Sequence, residues 1–226
     1  MEFGSGLTSI GSSAFYGCTG LTSVSTPSSL ASLGSSAFQG CTSLVEAEIN
    51  GTGLDLYNSS CVFYKCASLR RVVFGDGVTR LYRSYYSDYS NGRRDVSGTF
   101  GDCASLREVV VGSGVTDVAD RFLWNVGNSG DGLSVSFGGR IGRVGYEALN
   151  NANVTTLGIT LDNCAVGDRA FMDNPAVTLG SVDFSQIRSM DGSAFSGCRN
   201  IVGVYPAGGD ENQNQDLRIA GDVQGE

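Results

Sequence analysis

Ser12–Leu21 reads SSAFYGCTGL and Ser35–Leu44 reads SSAFQGCTSL. A chain that writes nearly the same ten residues twice, 23 positions apart, is building one small unit repeatedly. A search for that period through the rest of the sequence finds it. Ala-Phe-like pairs fall at Ala14-Phe15, Ala37-Phe38, Val62-Phe63, Thr99-Phe100, Arg121-Phe122, Ala148-Leu149, Ala170-Phe171 and Ala194-Phe195. The steps between their second residues are 23, 25, 37, 22, 27, 22 and 24. The single large step marks an insertion, so the reading is eight repeats and one added segment.

Two more apolar tracks run beside the aromatic. An aliphatic residue stands five before it at Ile10, Leu33, Val144, Val166 and Met190, with another three earlier at Leu7, Leu30, Ile141 and Ile187. After the aromatic comes L-x-x-V-x-I, as in Leu44/Ala47/Ile49, Leu69/Val72/Phe74, Leu106/Val109/Val111 and Val154/Leu157/Ile159. Its alternating end is that of a short strand. A unit of 22–25 residues is too small to bury its own apolar flank, but stacked units bury one another's. The expected architecture is an α/β-type repeat solenoid of the leucine-rich-repeat kind: a right-handed superhelix with a continuous parallel sheet, mostly strands and turns with little helix. Each aromatic plugs the gap between coils, contributing about 1.5–3 kcal/mol by burial.

The quoted units resemble the BspA-like leucine-rich repeat, roughly LxxIxxxAFxxCxxLxxVxIP. The match is close in repeats one, two and eight (SMDGSAFSGCRNIVGVYP) and extends over Leu7–Pro206. Repeats five and six depart, because Phe122 and Leu149 are followed three later by Asn125 and Ala152 instead of Cys. Only Pro27 and Pro206 keep the proline after the strand. The resemblance implies a surface-exposed or secreted protein that binds host or matrix macromolecules without catalysis. The domains expected are a scar or leader at 1–6, an array at 7–206 with an insertion at 82–98, and a polar tail at 207–226.

Five of the seven cysteines take one repeat position, three after the aromatic: Cys18, Cys41, Cys66, Cys103 and Cys198. With Phe15, Phe38, Phe63, Phe100, Phe171 and Phe195 they are the expected repeat core. A buried thiol ladder is the favoured reading, since free cysteine is small, apolar and a weak donor. Disulfide or metal binding is the alternative. Adjacent coils lie close enough for a disulfide, but the total is odd and no CxxC occurs.

Composition narrows function chiefly by exclusion. The chain has no histidine, which removes His-based triads and the commonest metal ligand. A net charge of −8 is no footprint for a nucleic-acid binder. No apolar run is long enough for a membrane helix. No catalytic residue, metal or cofactor is implied.

Two surfaces remain as candidates for ligand contact. The first is the outward, concave-face set of the strands: Glu46, Glu48, Arg71, Glu108 and Tyr205. These charges either neutralise one another across strands or form a recognition stripe. The second is the insertion LYRSYYSDYSNGRRDVSG, with Tyr82, Arg83, Tyr85, Tyr86, Tyr89, Arg93 and Arg94. Tyr, Ser, Asn and Arg suit an adaptable recognition loop, though a neutral decoration has the same composition. The favoured function is a non-enzymatic binding or adhesion module with an extracellular protein or glycan partner. A structural spacer and a solenoid carbohydrate-active enzyme are the alternatives; scattered acids count against the enzyme.

Overall fold

The computed structural model describes residues 1–82, 87–88, 94–95, 98–124, 126, 130, 132–177 and 182–198, with 87–88 and 94–95 described in backbone only. In chain order the strands are β1 (Ser9–Ile10), β2 (Ser23–Ser25), β3 (Ser32–Leu33), β4 (Glu46–Ile49), β5 (Leu54–Asp55), β6 (Arg71–Phe74), β7 (Val78–Arg80), β8 (Ser87–Asp88), β9 (Arg94–Asp95), β10 (Glu108–Val111), β11 (Asp117–Val118), β12 (Leu133–Val144), β13 (Val154–Val166) and β14 (Ile187–Met190). The only helix among the described residues is a 3-10 turn at Phe184–Gln186. The protein is a parallel-strand solenoid with almost no helix, as the repeat predicts.

The L-x-x-V-x-I segments form the main face. Strands β2, β4, β6, β10, β12 and β13 lie side by side in that order, all parallel. Their inward residues Val24, Ala47, Val72, Val109, Val135 and Leu157 are all buried. The earlier aliphatic track forms a second flank. It begins as the pairs β1–β3 and β5–β7 and continues as β11, the end of β12, the end of β13, and β14. In β12 and β13 one strand spans both flanks, with register shifts at the bend.

The aromatic corner closes each coil. Phe3, Phe15, Phe38, Phe63 and Phe100 line up in one column, with successive ring centroids 5.7, 5.4, 5.8 and 5.8 Å apart. Phe171 and Phe195 continue it at 4.9 Å. Phe38 and Phe63 are fully buried, whereas Phe15 and Phe195 are only partly so.

The corner backbone is bound to the next corner by a repeated set of hydrogen bonds. Ser13 N donates to Ser35 O (2.9 Å), Phe15 N to Ala37 O (2.8 Å) and Gly17 N to Gln39 O (2.8 Å). Alternate N–H groups can point the same way because residues flanking the seat have positive φ: Ser13, Ser36, Cys61, Arg121, Glu147 and Arg169 two before it, and Gly17, Gly40, Lys65, Asp102, Asn151, Asp173 and Gly197 two after it. Gly17 and Gly40 meet that need with glycine, but Lys65 (φ 63°) and Asp102 (φ 60°) meet it against the usual steric preference.

This hydrogen-bond register corrects the repeat alignment in one coil. Leu123 N donates to Ala148 O and Arg121 N to Tyr146 O, and Arg121 carries the positive φ. Leu123, not Phe122, therefore takes the column seat, and Phe122 fills the position that is usually alanine. Its ring meets Phe100 edge-on at 5.9 Å. With this shift the aliphatic track reappears as Val115 and Val118, both buried. The residue three after the aromatic becomes Val126 rather than Asn125.

The thiols form a ladder of donors. Cys41 donates to Phe15 O, Cys66 to Phe38 O, Cys103 to Phe63 O and Cys198 to Phe171 O, at 3.1, 3.1, 3.1 and 3.0 Å. Each thiol thus satisfies the carbonyl of the preceding aromatic. Asn174 takes the same place in its coil, where the sequence has no cysteine, and its amide donates to Leu149 O at 2.7 Å. Burial pushes the Cys66 thiol up to about 12 and those of Cys164 and Cys198 to about 11. Cys18 departs from the expected core, for it is exposed. No earlier coil covers it among the described residues.

Residues 1–3, within the stretch expected to be a scar or leader, run beside the first coil. Glu2 makes a parallel bridge to Ser25, Ser25 N donates to Met1 O at 3.1 Å, and Phe3 packs on Phe15. They lie along the edge of β2. The expected tail at 207–226 lies outside the described residues.

Two outcomes follow from burial. Phe38→Ala should cost about 3–5 kcal/mol in urea unfolding, because a column held by backbone bonds cannot collapse onto the cavity, while Phe15→Ala should cost visibly less. Equal costs would contradict the closed column. In a thiol titration of the native protein Cys18 should react at once and half-buried Cys61 more slowly. Cys41, Cys66, Cys103, Cys164 and Cys198 should react only in denaturant.

Candidate functional site

Strand register sets which outward residues meet. On the main face it aligns Ser23, Glu46, Arg71, Glu108, Ser134 and Thr156 in one row. A second row holds Ser25, Glu48, Val73, Val110, Ser136 and Gly158. Glu46, Glu48, Arg71 and Glu108 therefore do share a face, as the sequence predicts, while Tyr205 lies outside the described residues. Arg71 Nε sits 2.6 Å from Glu108 Oε2, with both side chains 45% exposed. At that exposure the pair contributes about 0–1 kcal/mol. Glu48 accepts from Ser25 Oγ at 3.2 Å. The face is polar and partly self-neutralised.

The insertion leaves the solenoid after β7. Leu81 and Tyr82 are both buried there, and the Tyr82 ring meets Phe74 edge-on at 5.7 Å. Burial raises the Tyr82 phenol well above its ordinary pKa. Its hydroxyl has no hydrogen-bond partner among the described residues. Tyr82 is thus an anchor of the insertion, not a contact residue: a fully buried ring cannot meet a ligand. Arg83, Tyr85, Tyr86, Tyr89 and Arg93 lie outside the described residues. Arg94 falls on β9, whose backbone pairs antiparallel with β8. The chain re-enters through buried Gly98, Thr99 and Phe100.

A third set of polar groups, absent from the sequence reading, lies along the corner of three later coils. Arg121 Nε is 2.7 Å from Glu147 Oε2, and Arg169 Nη1 is 3.4 Å from Glu147 Oε1. All three residues stand two before the column seat, so the corrected period is the signal that finds them. Glu147 is 7% exposed. Burial works to raise its carboxyl pKa, but hydrogen bonds from Arg121, Tyr146 and Arg169 outweigh it and hold the group below its ordinary value. Beside this ladder Arg143 pairs with Asp120 at 2.5 Å, and Asp120 also accepts from Tyr146 N at 3.0 Å. A depression of about 240 Å³ opens there, lined by Arg143, Tyr146, Asp168, Ser189 and Asp191 among others. Of its charged side chains, Arg143 is paired with Asp120, Asp168 lies 3.7 Å from Arg169 Nε, and Asp191 accepts from Asp168 N at 3.1 Å. Among the described residues no group of three or more Cys, Asp or Glu could hold a metal ion.

A family model described as BspA type leucine rich repeat region matches the chain in six copies, over residues 1–92 and 96–202. The chain belongs to the BspA-type leucine-rich-repeat family. Among solved structures it is similar to a leucine-rich-repeat protein of T. pallidum, with 26% identity, a TM-score of 0.40, and coverage of 64% of this chain and 71% of that one. It is also similar to a leucine-rich-repeat protein from Bacteroides ovatus, with 13% identity, a TM-score of 0.45, and coverage of 88% and 70%. A comparison with curated proteins returned no match. Within this BspA-type chain no helix of the described residues is long and apolar enough to cross a membrane.

Glu147→Gln should destabilise the protein by about 1.5–3 kcal/mol at pH 7, since it removes charge-assisted bonds to two arginines. The folded carboxyl titrates below the unfolded one, so this stabilisation is complete above about pH 4.3 and is lost as pH falls through the lower folded value. Urea titrations at pH 7, 5 and 3 should show wild type and variant converging in acid. A gap independent of pH would remove the ion ladder as its cause.

Proposed function

We propose that this chain is a non-enzymatic binding module of a cell-surface or secreted repeat protein, with the insertion at 82–98 as its principal contact element. The observation that supports this reading is the way the insertion is held. Buried Leu81 and Tyr82 on one side and buried Gly98, Thr99 and Phe100 on the other fasten it to the rigid array. Its intervening sequence is rich in Tyr, Ser and Arg, residues that give contact area and adaptable hydrogen bonding at modest entropic cost. Against catalysis stand the absence of histidine and the ion-paired state of Glu147, the one buried acid among the described residues. The partner is an extracellular protein or a glycan.

Deleting Ser84–Ser97, with Tyr82 and Gly98 retained, should leave the unfolding transition within a few degrees of wild type, about 1 kcal/mol for a chain of this size. Binding on an array of matrix proteins and glycans should fall. A wild-type chain that binds nothing on the array would favour a structural spacer, and undiminished binding by the deletion variant would move the contact elsewhere on the array.

A further inference from the structure

The depression of about 240 Å³ lies where the second flank turns into the corner, across the coils of Leu149, Phe171 and Phe195. Register explains why it forms. Arg143, Ala165 and Ser189 stand side by side on β12, β13 and β14, and their neighbours Val144, Val166 and Met190 do the same on the core side. The next row is Gly145, Gly167 and Asp191. It is set by Gly145 N donating to Val118 O, Gly167 N to Val144 O and Asp191 N to Val166 O, at 2.9, 2.8 and 3.1 Å. The middle coil therefore contributes only Ala165 and Gly167 to the floor, between Arg143 and Tyr146 on one side and Ser189 and Asp191 on the other. A Cβ at position 167 would lie 2.9 Å from Tyr146 N and 3.0 Å from Gly145 C, so backbone packing keeps the floor low at that point.

The rim offers donors from one coil and acceptors from the next two. Arg143 gives Nη2 to Asp120, and a guanidinium carries four further N–H groups. Asp191 accepts from Asp168 N at Oδ2, which holds a carboxylate at the rim that has room for more hydrogen bonds. Asp168 brings a second carboxylate, its side chain 38% exposed, and Ser189 an exposed hydroxyl. Tyr146 is held by the Arg121 guanidinium, 5.0 Å from its ring centroid. Beneath lie the buried side chains of Val144 and Val166. Convergent polar groups over an apolar base are the usual make-up of a small-ligand site.

We infer that this depression is a binding site for one terminal, neutral pyranose ring of a glycan, whose hydroxyls donate to Asp168 and Asp191 and accept from Arg143. The inference goes beyond the binding-module reading in naming a second site, and rests on it for glycan as a class of partner. Size sets the first limit. Pockets for drug-sized molecules run to roughly 300–1,000 Å³, so a smaller depression suits about one ring. Charge sets the second. Arg143 is already matched to Asp120, so the site has little with which to neutralise a ligand's carboxylate, and acidic sugars and free amino acids are disfavoured. A lone cation is disfavoured too, because Arg143 stands on the rim and Arg169 Nε lies 3.7 Å from Asp168. A ligand rich in hydroxyls satisfies both kinds of rim group without bringing a charge.

The test follows backbone amide signals of the intact, nitrogen-15-labelled chain by NMR. The probes are methyl glycosides of glucose, galactose, mannose and N-acetylglucosamine, then sodium glucuronate, Nα-acetyl-lysine amide and calcium chloride, each to about 50 mM. At least one neutral glycoside should move the signals of Gly167, Asp168 and Ser189 and saturate. Ala165→Leu fills the floor and should abolish that response. Asp191→Asn keeps an acceptor for Asp168 N, so the coil contact survives, and it should weaken binding roughly ten-fold with thermal unfolding unchanged. The Ser84–Ser97 deletion should retain the response, since other coils build the depression. The site is overturned if no neutral glycoside moves these signals, if Asp191→Asn or a folded Ala165→Leu chain responds like wild type, or if glucuronate, the lysine amide or calcium moves them in place of the glycosides. Loss of the sugar response beside insertion-dependent binding on the array leaves the wider reading standing; loss of both ends it.

Discussion

The structure depends on the hydrogen bonds that tie successive corners together, from the Phe15 corner to the Phe100 corner and again from the Leu123 corner to the Phe195 corner. A corner turn would otherwise leave N–H groups without partners beside an apolar column, at a cost of the order of 1–3 kcal/mol each. Positive φ on either side of the aromatic aims alternate N–H groups along the solenoid axis, where the next corner's carbonyls receive them. The aromatic between them is thereby held in register with its neighbours, and the column at 5.4–5.8 Å is the result. The thiols complete the arrangement by supplying the aromatic's own carbonyl with a donor. That role explains why Asn174 can replace a cysteine there; in the coils of Leu123 and Leu149 the position holds Val126 and Ala152, which bring no donor.

Because the corners are fixed in this way, the outer positions of successive coils fall into straight rows. The charged row of Arg121, Glu147 and Arg169 holds later coils together. It is a consequence of one scaffold that leaves its surface rows free to vary. Binding by such a scaffold needs no change in the core, which is why function on this protein is sought in rows and in the insertion.

Much of the interior was legible because its period is short and strict: Phe38, Phe63, Leu44 and Val72 are inside, as the pattern says. Phe122 misled the alignment because an aromatic draws the eye to the column seat, although Val115 and Val118 already pointed to Leu123. Tyr82 misled it for the opposite reason, since a tyrosine in a polar insertion suggests recognition while its burial depends on Phe74 from another part of the coil. The BspA-type family resemblance held, and it bears on fold rather than on a partner.

By itself the sequence determined the coil length and which side chains turn inward, because a unit that cannot bury its own flank has to repeat it in step. The tertiary structure alone decided which surface residues become neighbours. Arg71 and Glu108 meet across an insertion, 37 residues apart in sequence, and Arg121 and Glu147 meet from 26 residues apart. Such meetings follow from the register between coils, which is set by the corner hydrogen bonds and by the length of every intervening loop, and no local pattern contains that sum.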